Sequence, residues 1–314
     1  MAVLIVYVDD IIITGNHTEE INSIKKILAK EFEVKDLGAL KYFLGMEFAR
    51  SKRGIFVSQR KYTLDLLKET CMLGSRPNKT PNELRDKKKM FEGGPVDKGR
   101  YQQLVGKLIY LSHTRHDIAF AVSLVSQYMH DPCQGHLNAV YRILRYLKQT
   151  PGNGLFFRKT TERKVEVFTD ADWAGSIDDR KSTSGYCTMI WGNVVTWRSK
   201  KQTVVARSSA EAEYRAMTHG VCEAIWIKRL LKELKIEYEA SIQLYCDDQS
   251  TISIAHNHVY HDRTKHVEVD RHFIKEKIDG GIINIRYVHT DQQLADILTK
   301  GLSDQVFDFL VNKL

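Results

Sequence analysis

The sequence predicts an α/β fold, shading to α+β in its first half, and two observations carry that expectation. Along the second half, apolar runs of period 2 and of period 3.6 follow one another as three strands, helix, strand, helices, strand, helix. Several of those strands run straight into an acidic residue, at the edge where open α/β sheets place their ligands. The 314 residues, 43% hydrophobic and 27% charged, are globular in composition and enough for two domains of ordinary size.

In chain order, residues 3–7 and 11–14 alternate as a hairpin with Asp9 and Asp10 at its tip, closed by Gly15-Asn16. Thr18 is the expected cap of a helix bearing Ile21, Ile24, Ile27 and Leu28. Residues 42–48 and 54–57 read as short strands and 62–71 as an amphipathic helix. Between Pro77 and Gly99 the prolines, the Lys87–Lys89 run and Gly93-Gly94-Pro95 mark a loop or linker, and the lysines there read as a solvated face. Helices are expected over 101–111, 118–129 and 135–148. Pro151-Gly152-Asn153-Gly154 breaks the pattern, which puts the domain boundary near Thr160 and divides the chain into 1–160 and 161–314.

In the second half, residues 165–169 alternate as a strand that delivers Asp170. Residues 186–190 and 194–197 form a hairpin through Gly192-Asn193, a pair that tolerates positive φ. Ser208 with Glu211 three residues on is a capping box, opening a helix to about Leu234 with Ala216, Val221, Ala224, Ile227 and Leu231 near one face. A strand over 242–246 ends at Asp247, and helices follow over 249–255 and 264–278. Gly280-Gly281 stops the second of these, 282–288 is the last strand, and 293–299 a final helical segment.

Lys+Arg 47 against Asp+Glu 39 gives a net charge of +8, a mild excess that fits a polyanionic partner. Five scattered cysteines (Cys71, Cys133, Cys187, Cys222, Cys246) with no C-x-x-C pair read as reduced, buried thiols of an intracellular protein, with neither a disulfide framework nor a zinc site. No membrane span is expected; the opening apolar run has no basic leader and stops at Asp9, so it reads as a strand and not as a signal peptide.

Asp170, Glu213, Asp247 and Asp296 each fall where a strand or helix would aim a carboxylate at one shared point. Four such groups repel one another and lose hydration, so they need divalent cations to be stable together. Each has a neighbouring rival: Asp172, Glu211, Asp248 and Asp291. Glu211 fits the cap and leaves Glu213 free, and Asp291 fits a cap of the last helical segment. Taken singly, each acid is equally well a cap or a solvated charge.

Phe168-Thr-Asp170-Ala-Asp-Trp-Ala-Gly175, Ser208-Ser-Ala-Glu-Ala-Glu213-Tyr-Arg-Ala216, Tyr245-Cys-Asp247-Asp-Gln-Ser250 and Leu294-Ala-Asp296-Ile-Leu-Thr-Lys300 together resemble the ribonuclease H domain of copia-type LTR retrotransposons. Residues 263–274 are similar to the same group's stretch before its last strand. Upstream, Tyr7-Val-Asp9-Asp10 resembles the reverse-transcriptase active-site hairpin and Phe43-Leu-Gly-Met-Glu-Phe48 the primer-grip strands.

The resemblance implies a ribonuclease H-like mixed five-stranded sheet with flanking helices. Ahead of it would stand a truncated reverse-transcriptase palm, thumb and connection, within a longer Pol polyprotein. It implies cleavage of the RNA strand of RNA–DNA hybrids with two Mg²⁺, for which Mn²⁺ can substitute. Asp170 would bridge both ions, with Glu213 and Asp247 on one side and Asp296 on the other. Two ions about 4 Å apart activate water and stabilise the leaving oxygen, and Mg²⁺ prefers carboxylate oxygens to His or Cys.

His289 resembles the mobile histidine that shuttles protons in ribonucleases H, and a plain surface histidine is an equal reading. A polymerase palm needs a third carboxylate from an earlier strand. Eight residues precede Asp9, so polymerase activity is expected to be absent and the first hairpin to expose apolar edges. The compartment implied for an intact element is a cytoplasmic virus-like particle or the nucleus. The competing reading is a non-catalytic nucleic-acid-binding remnant.

His256, His258, His261 and His266 do not read as a zinc site, having no cysteine nearby and no i, i+4 pair among the first three. Trp173, Trp191 and Trp197 read as core residues sooner than stacking platforms.

Overall fold

The computed structural model describes residues 1–82, 87–256 and 268–314, the side chains of Lys87 and Lys88 excepted. Strands β1 (Ala2–Tyr7) and β2 (Asp10–Gly15) pair antiparallel, with Val8 at a φ of +49° in the turn. Helix α1 (Thr18–Glu31) follows, and His17, not Thr18, is its cap: the imidazole Nδ1 accepts from the Glu20 amide at 3.3 Å. Thr18 is already helical, so its hydroxyl is one position too late to cap.

Strands β3 (Tyr42–Phe43), β4 (Met46–Ser51) and β5 (Gly54–Ser58) form an antiparallel sheet completed by β6 (Gly154–Arg158). The sequence shows β6 only as the tail of a loop, because its partner β5 lies far upstream; Val57 pairs with Leu155. Between them run α2 (Arg60–Glu69), α3 (Lys98–Leu111), α4 (Ala119–Ser126) and α5 (Gln134–Gln149). Asp97 caps α3 by accepting from the Arg100 amide at 3.0 Å.

The second sheet starts at β7 (Val165–Asp172), meanders through β8 (Thr183–Ile190) and β9 (Asn193–Lys201), and crosses over by α6 (Ser209–Glu233) to β10 (Ile242–Cys246). Helices α7 (Gln249–His256) and α8 (Glu268–Asp279) lead to β11 (Ile283–Tyr287). The spatial order is β11-β10-β7-β8-β9, with β10 parallel to both β7 and β11 and the meander antiparallel. This is a mixed five-stranded ribonuclease H-like sheet with β7 at its centre. A 3₁₀ turn (Leu294–Leu298) and α9 (Asp304–Lys313) close the chain; α9 is absent from the sequence reading although Val306, Phe307 and Leu310 recur at helical spacing.

Two close approaches position the rim of this sheet. A Cβ at Gly220, in mid-helix on α6, would lie 2.5 Å from Thr169 Cγ2, so the glycine lets α6 lie close over β7. Met217, Val221, Ala224, Ile227 and Leu231 then pack on Val165, Val167 and Leu244. Across the sheet, Gly185 on β8 faces Asp170, and a Cβ there would lie 2.6 Å from Thr299 Cγ2 and 2.9 Å from Leu298 Cβ. That glycine seats the Leu294–Leu298 turn against the strands.

The other apolar cluster joins Leu67, Leu108, Leu111, Ile143 and Leu147 of α2, α3 and α5 to Phe168, Cys187, Leu298 and Phe307. Packing is therefore continuous across residue 160. Within it Arg115 and Asp117 are a buried ion pair (Nη2 to Oδ2, 2.7 Å), and Tyr146 donates to Asp117 Oδ2 at 2.6 Å. By contrast, Leu4, Ile5, Val6, Tyr7 and Val8 are exposed on the first hairpin, as expected of a strand pair without sheet neighbours. Among the described residues, no helix is long and apolar enough to cross a membrane.

Candidate metal centre at the sheet rim

Asp170 lies inside β7, Asp247 directly after β10, and Asp296 in the 3₁₀ turn packed over Gly185. Each offers an oxygen within 4.8 Å of the others. Glu213, two turns before Gly220 on α6, joins Asp247 and Cys246 in a second group of the same span, so Asp247 is common to both. Glu213 Oε1 accepts from the Ala171 amide at 2.9 Å, which ties it to the strand carrying Asp170.

Burial raises the pKa of Asp170, against the opposing pull of Lys300. Burial, then Asp170, push Glu213 well above the usual carboxylate range. Burial, then Asp170, bring Asp296 up to about 7. One cation already answers part of this charge. Lys300 Nζ lies 2.9 Å from Asp296 Oδ1 and 3.4 Å from Asp170 Oδ1. Its burial favours the neutral amine, but Asp170 and Asp296 outweigh that and the ammonium is held. Thr299 donates to Asp170 Oδ2, and Thr290 to Asp247 Oδ2 at 3.0 Å.

The donor set fits a hard divalent cation. Glu213 is 6% exposed, and its Oε2 has no hydrogen-bond partner among the described residues. A buried carboxylate oxygen left without a partner is costly unless something cationic meets it. The oxygens of Asp170, Glu213, Asp247 and Asp296 suit Mg²⁺ or Mn²⁺, whereas the Cys246 thiol, its pKa raised by burial, is a soft ligand that Mg²⁺ would not recruit.

The rivals take other work. Ser208 accepts from the Glu211 amide at 3.2 Å, while Glu211 accepts from the Arg207 amide at 2.7 Å and pairs with Arg215, so Glu211 is the capping acid. Asp248 caps α7, accepting from the Ser250 amide at 2.8 Å. Asp291 does not cap the last turn: it pairs with His289 Nδ1 at 2.8 Å, and the cap is Gln293, which accepts from the Ala295 amide at 3.2 Å. His289 is exposed in that pair. Asp172 belongs to neither carboxylate group.

Asp9 and Asp10 sit at the exposed tip of the β1–β2 hairpin, also outside both groups. Trp197 packs on the core and donates to the Ser112 carbonyl at 3.1 Å. Trp173 is half exposed and so is not a core residue; only its indole N–H is satisfied, on the Ala206 carbonyl at 3.1 Å. Of the four histidines considered for zinc, His258, His261 and His266 lie outside the described residues, as does the 263–267 part of the motif before the last strand. No histidine joins a metal-competent group among the described residues.

The sequence reading gave Lys300 and Thr299 no role beyond their place in the Leu294–Lys300 string, and it missed Gly185. The i, i+4 spacing from Asp296 to Lys300 was the available signal for the first.

A mixed sheet of this order, its acidic side chains gathered at one rim, defines a ribonuclease H-like domain, here carried behind a reverse-transcriptase-like region. A family model described as reverse transcriptase (RNA-dependent DNA polymerase) matches residues 2–84. The chain is 42% identical over 312 residues to the retrovirus-related Pol polyprotein from transposon RE2 of Arabidopsis thaliana, covering 99% of this chain and 21% of that protein. It is 34% identical over 224 residues to a putative transposon Ty5-1 protein of Saccharomyces cerevisiae, covering 69% of this chain and 72% of that protein. The chain belongs to the copia-type retrotransposon Pol polyprotein family, and it spans about a fifth of the length of the Arabidopsis polyprotein (21%). Among solved structures it overlays the N-terminal RNase H domain of a Mycobacterium tuberculosis protein at 16% identity and a TM-score of 0.33, covering 48% of this chain and 98% of that one. The sheet order, and not this loose overlay, defines the fold.

Proposed function

We propose that the chain hydrolyses the RNA strand of RNA–DNA hybrids, with Asp170, Glu213, Asp247 and Asp296 holding two Mg²⁺ or Mn²⁺ ions. The observation that carries this is the gathering of three carboxylates within 4.8 Å at the sheet rim, with Glu213 reaching Asp247 from α6. When bound, such ions supply Lewis-acid charge for the attacking water and the departing 3′ oxygen. The chain's own residues fix the site. Ala171 holds Glu213, Thr290 holds Asp247, and Thr299 with Lys300 hold Asp170.

Choice of RNA over DNA would come from contacts to 2′-hydroxyls in the wide minor groove of an A-like duplex. His289 is a candidate proton carrier, being exposed on the loop after β11. Residues 1–160 would serve as reverse-transcriptase palm, thumb and connection, with Asp9 and Asp10 in the polymerase hairpin, and 161–314 as the nuclease. The upstream part of the Pol polyprotein would accompany it in the intact element, in a cytoplasmic virus-like particle or in the nucleus.

The purified chain, given a labelled hybrid and Mg²⁺, is expected to cut the RNA strand, and Asp170→Asn to lose cutting while keeping its fold. Equal, negligible cutting by both would overturn the proposal. A second reading, hybrid binding without cutting, draws on Lys300, whose ammonium itself offsets part of the carboxylate charge at the rim. Salt-dependent gel shift without metal-dependent cleavage would favour it.

A further inference from the structure

We infer that Lys300 is a resident cation that keeps one of the two ion positions closed until a divalent ion displaces it, a reading that rests on the metal-dependent function proposed above. Its ammonium bridges two carboxylates from different elements, Asp170 on β7 at 3.4 Å and Asp296 in the 3₁₀ turn at 2.9 Å. A Mg²⁺ ion serving the same two oxygens would have to approach each to about 2.0–2.1 Å. The two cations cannot share that space, and like charges at such separations repel strongly where water is scarce.

The centre is therefore asymmetric. Glu213 Oε2 and Asp296 Oδ1 are both buried without a hydrogen-bond partner among the described residues. Asp296 Oδ1, however, has the Lys300 ammonium 2.9 Å away, while Glu213 forms no ion pair among those residues, so an ion arriving on the α6 side meets an oxygen with no cation against it. On the Asp296 side, an ion must first evict an ammonium. Lys300 has space to withdraw into: its side chain is 33% exposed, and it borders a cleft of about 620 Å³ shared with Arg142 and Lys201. By pairing with both, the lysine offsets the repulsion between Asp170 and Asp296.

Mn²⁺ titration of the full chain, read as free ion by electron paramagnetic resonance without substrate, tests this directly. Wild type is expected to show one tight and one weak site. Lys300→Met should tighten the weak site by about ten-fold or more by removing the competing charge, and Lys300→Arg should stay with wild type. In case Lys300→Met does not fold without metal, the Lys300 side-chain resonances of wild type supply a second readout. They should move as the second equivalent of Mg²⁺ binds and not the first.

Identical Mn²⁺ affinities in wild type and Lys300→Met, or lysine resonances unmoved through saturation, would overturn the inference. If wild type still cuts hybrids in that case, only the role of Lys300 falls. If no variant binds Mn²⁺ and wild type does not cut, the metal-dependent function falls with it.

Discussion

Gly185→Ala probes how the rim is assembled. Gly185 faces Asp170 across the β7–β8 pair, and an alanine Cβ would stand 2.6 Å from Thr299 Cγ2 and 2.9 Å from Leu298 Cβ. Carbon atoms rest at about 3.5–4.0 Å, so both neighbours must retreat. The Leu298 Cβ cannot rotate away, being fixed to the backbone, and the whole Leu294–Leu298 turn has to shift. Overpacking of this kind costs about 1–3 kcal/mol, while replacing glycine within a strand returns at most about 1 kcal/mol.

The net expectation is a loss of about 1–2 kcal/mol, a factor of roughly 5–30 in the folded-to-unfolded ratio. The turn carries Asp296 and leads directly into Lys300, so Mn²⁺ affinity should fall alongside stability. Urea unfolding in EDTA gives the first quantity and Mn²⁺ titration the second. Gly106→Ala on α3 is the control: nothing lies within 4 Å of its added Cβ, so it should be neutral or stabilising by up to about 1 kcal/mol. If Gly185→Ala matched wild type in both assays, the close approach would not be what gathers the carboxylates.

Glu213→Gln should abolish metal-dependent cutting with the fold intact, whereas Glu211→Ala should lose about 1 kcal/mol of stability as a broken cap and keep cutting; paired melting and cleavage assays separate them. By the same reasoning Asp247→Asn should lose Mn²⁺ binding, and Asp248→Ala should retain it while weakening α7. Asp117 supplies a pH dependence outside the carboxylate cluster. Burial would raise its pKa, but Arg115 overrides that and holds it at about 2, below the ordinary 3.8. The folded state therefore binds this proton less readily than the unfolded chain. Its contribution, about 2 kcal/mol, is complete above about pH 4 and lost as pH falls through about 2. Urea midpoints measured down that range should fall in wild type. Asp117→Asn should already be destabilised by about 3–5 kcal/mol at neutral pH, because Arg115 is left buried and unpaired.

The second sheet is legible in the sequence because its signals are local. Val165 and Val167 alternate, Ser208 and Glu211 mark a helix start, and Asp247 directly follows its strand, although β7 runs on through Asp170 to Asp172 where the sequence reading ended it at Thr169. That same locality distinguishes Glu213 from Glu211, since one residue cannot both cap α6 and reach β7. What escaped notice depends on distant partners. Strand β6 exists because β5 offers it an edge, and its own residues follow a Pro-Gly break that reads as a linker. Gly185 has no motif; its absent side chain matters only because a turn more than a hundred residues later lies against it. Lys300 was visible as part of the Leu294–Lys300 string, but its bridging of Asp170 and Asp296 requires the third dimension. Trp173 misleads for a related reason: an indole beside a strand usually packs inward, and here it lies past the end of β7, half exposed.

Anomalous diffraction from crystals of the full chain grown with Mn²⁺ tests the central claim most directly. The account expects manganese density among the side-chain oxygens of Asp170, Glu213, Asp247 and Asp296, with the Lys300 ammonium withdrawn from Asp296 where the second ion is present. Density confined to other residues, or carboxylates splayed apart around an empty rim at saturating Mn²⁺, would contradict it.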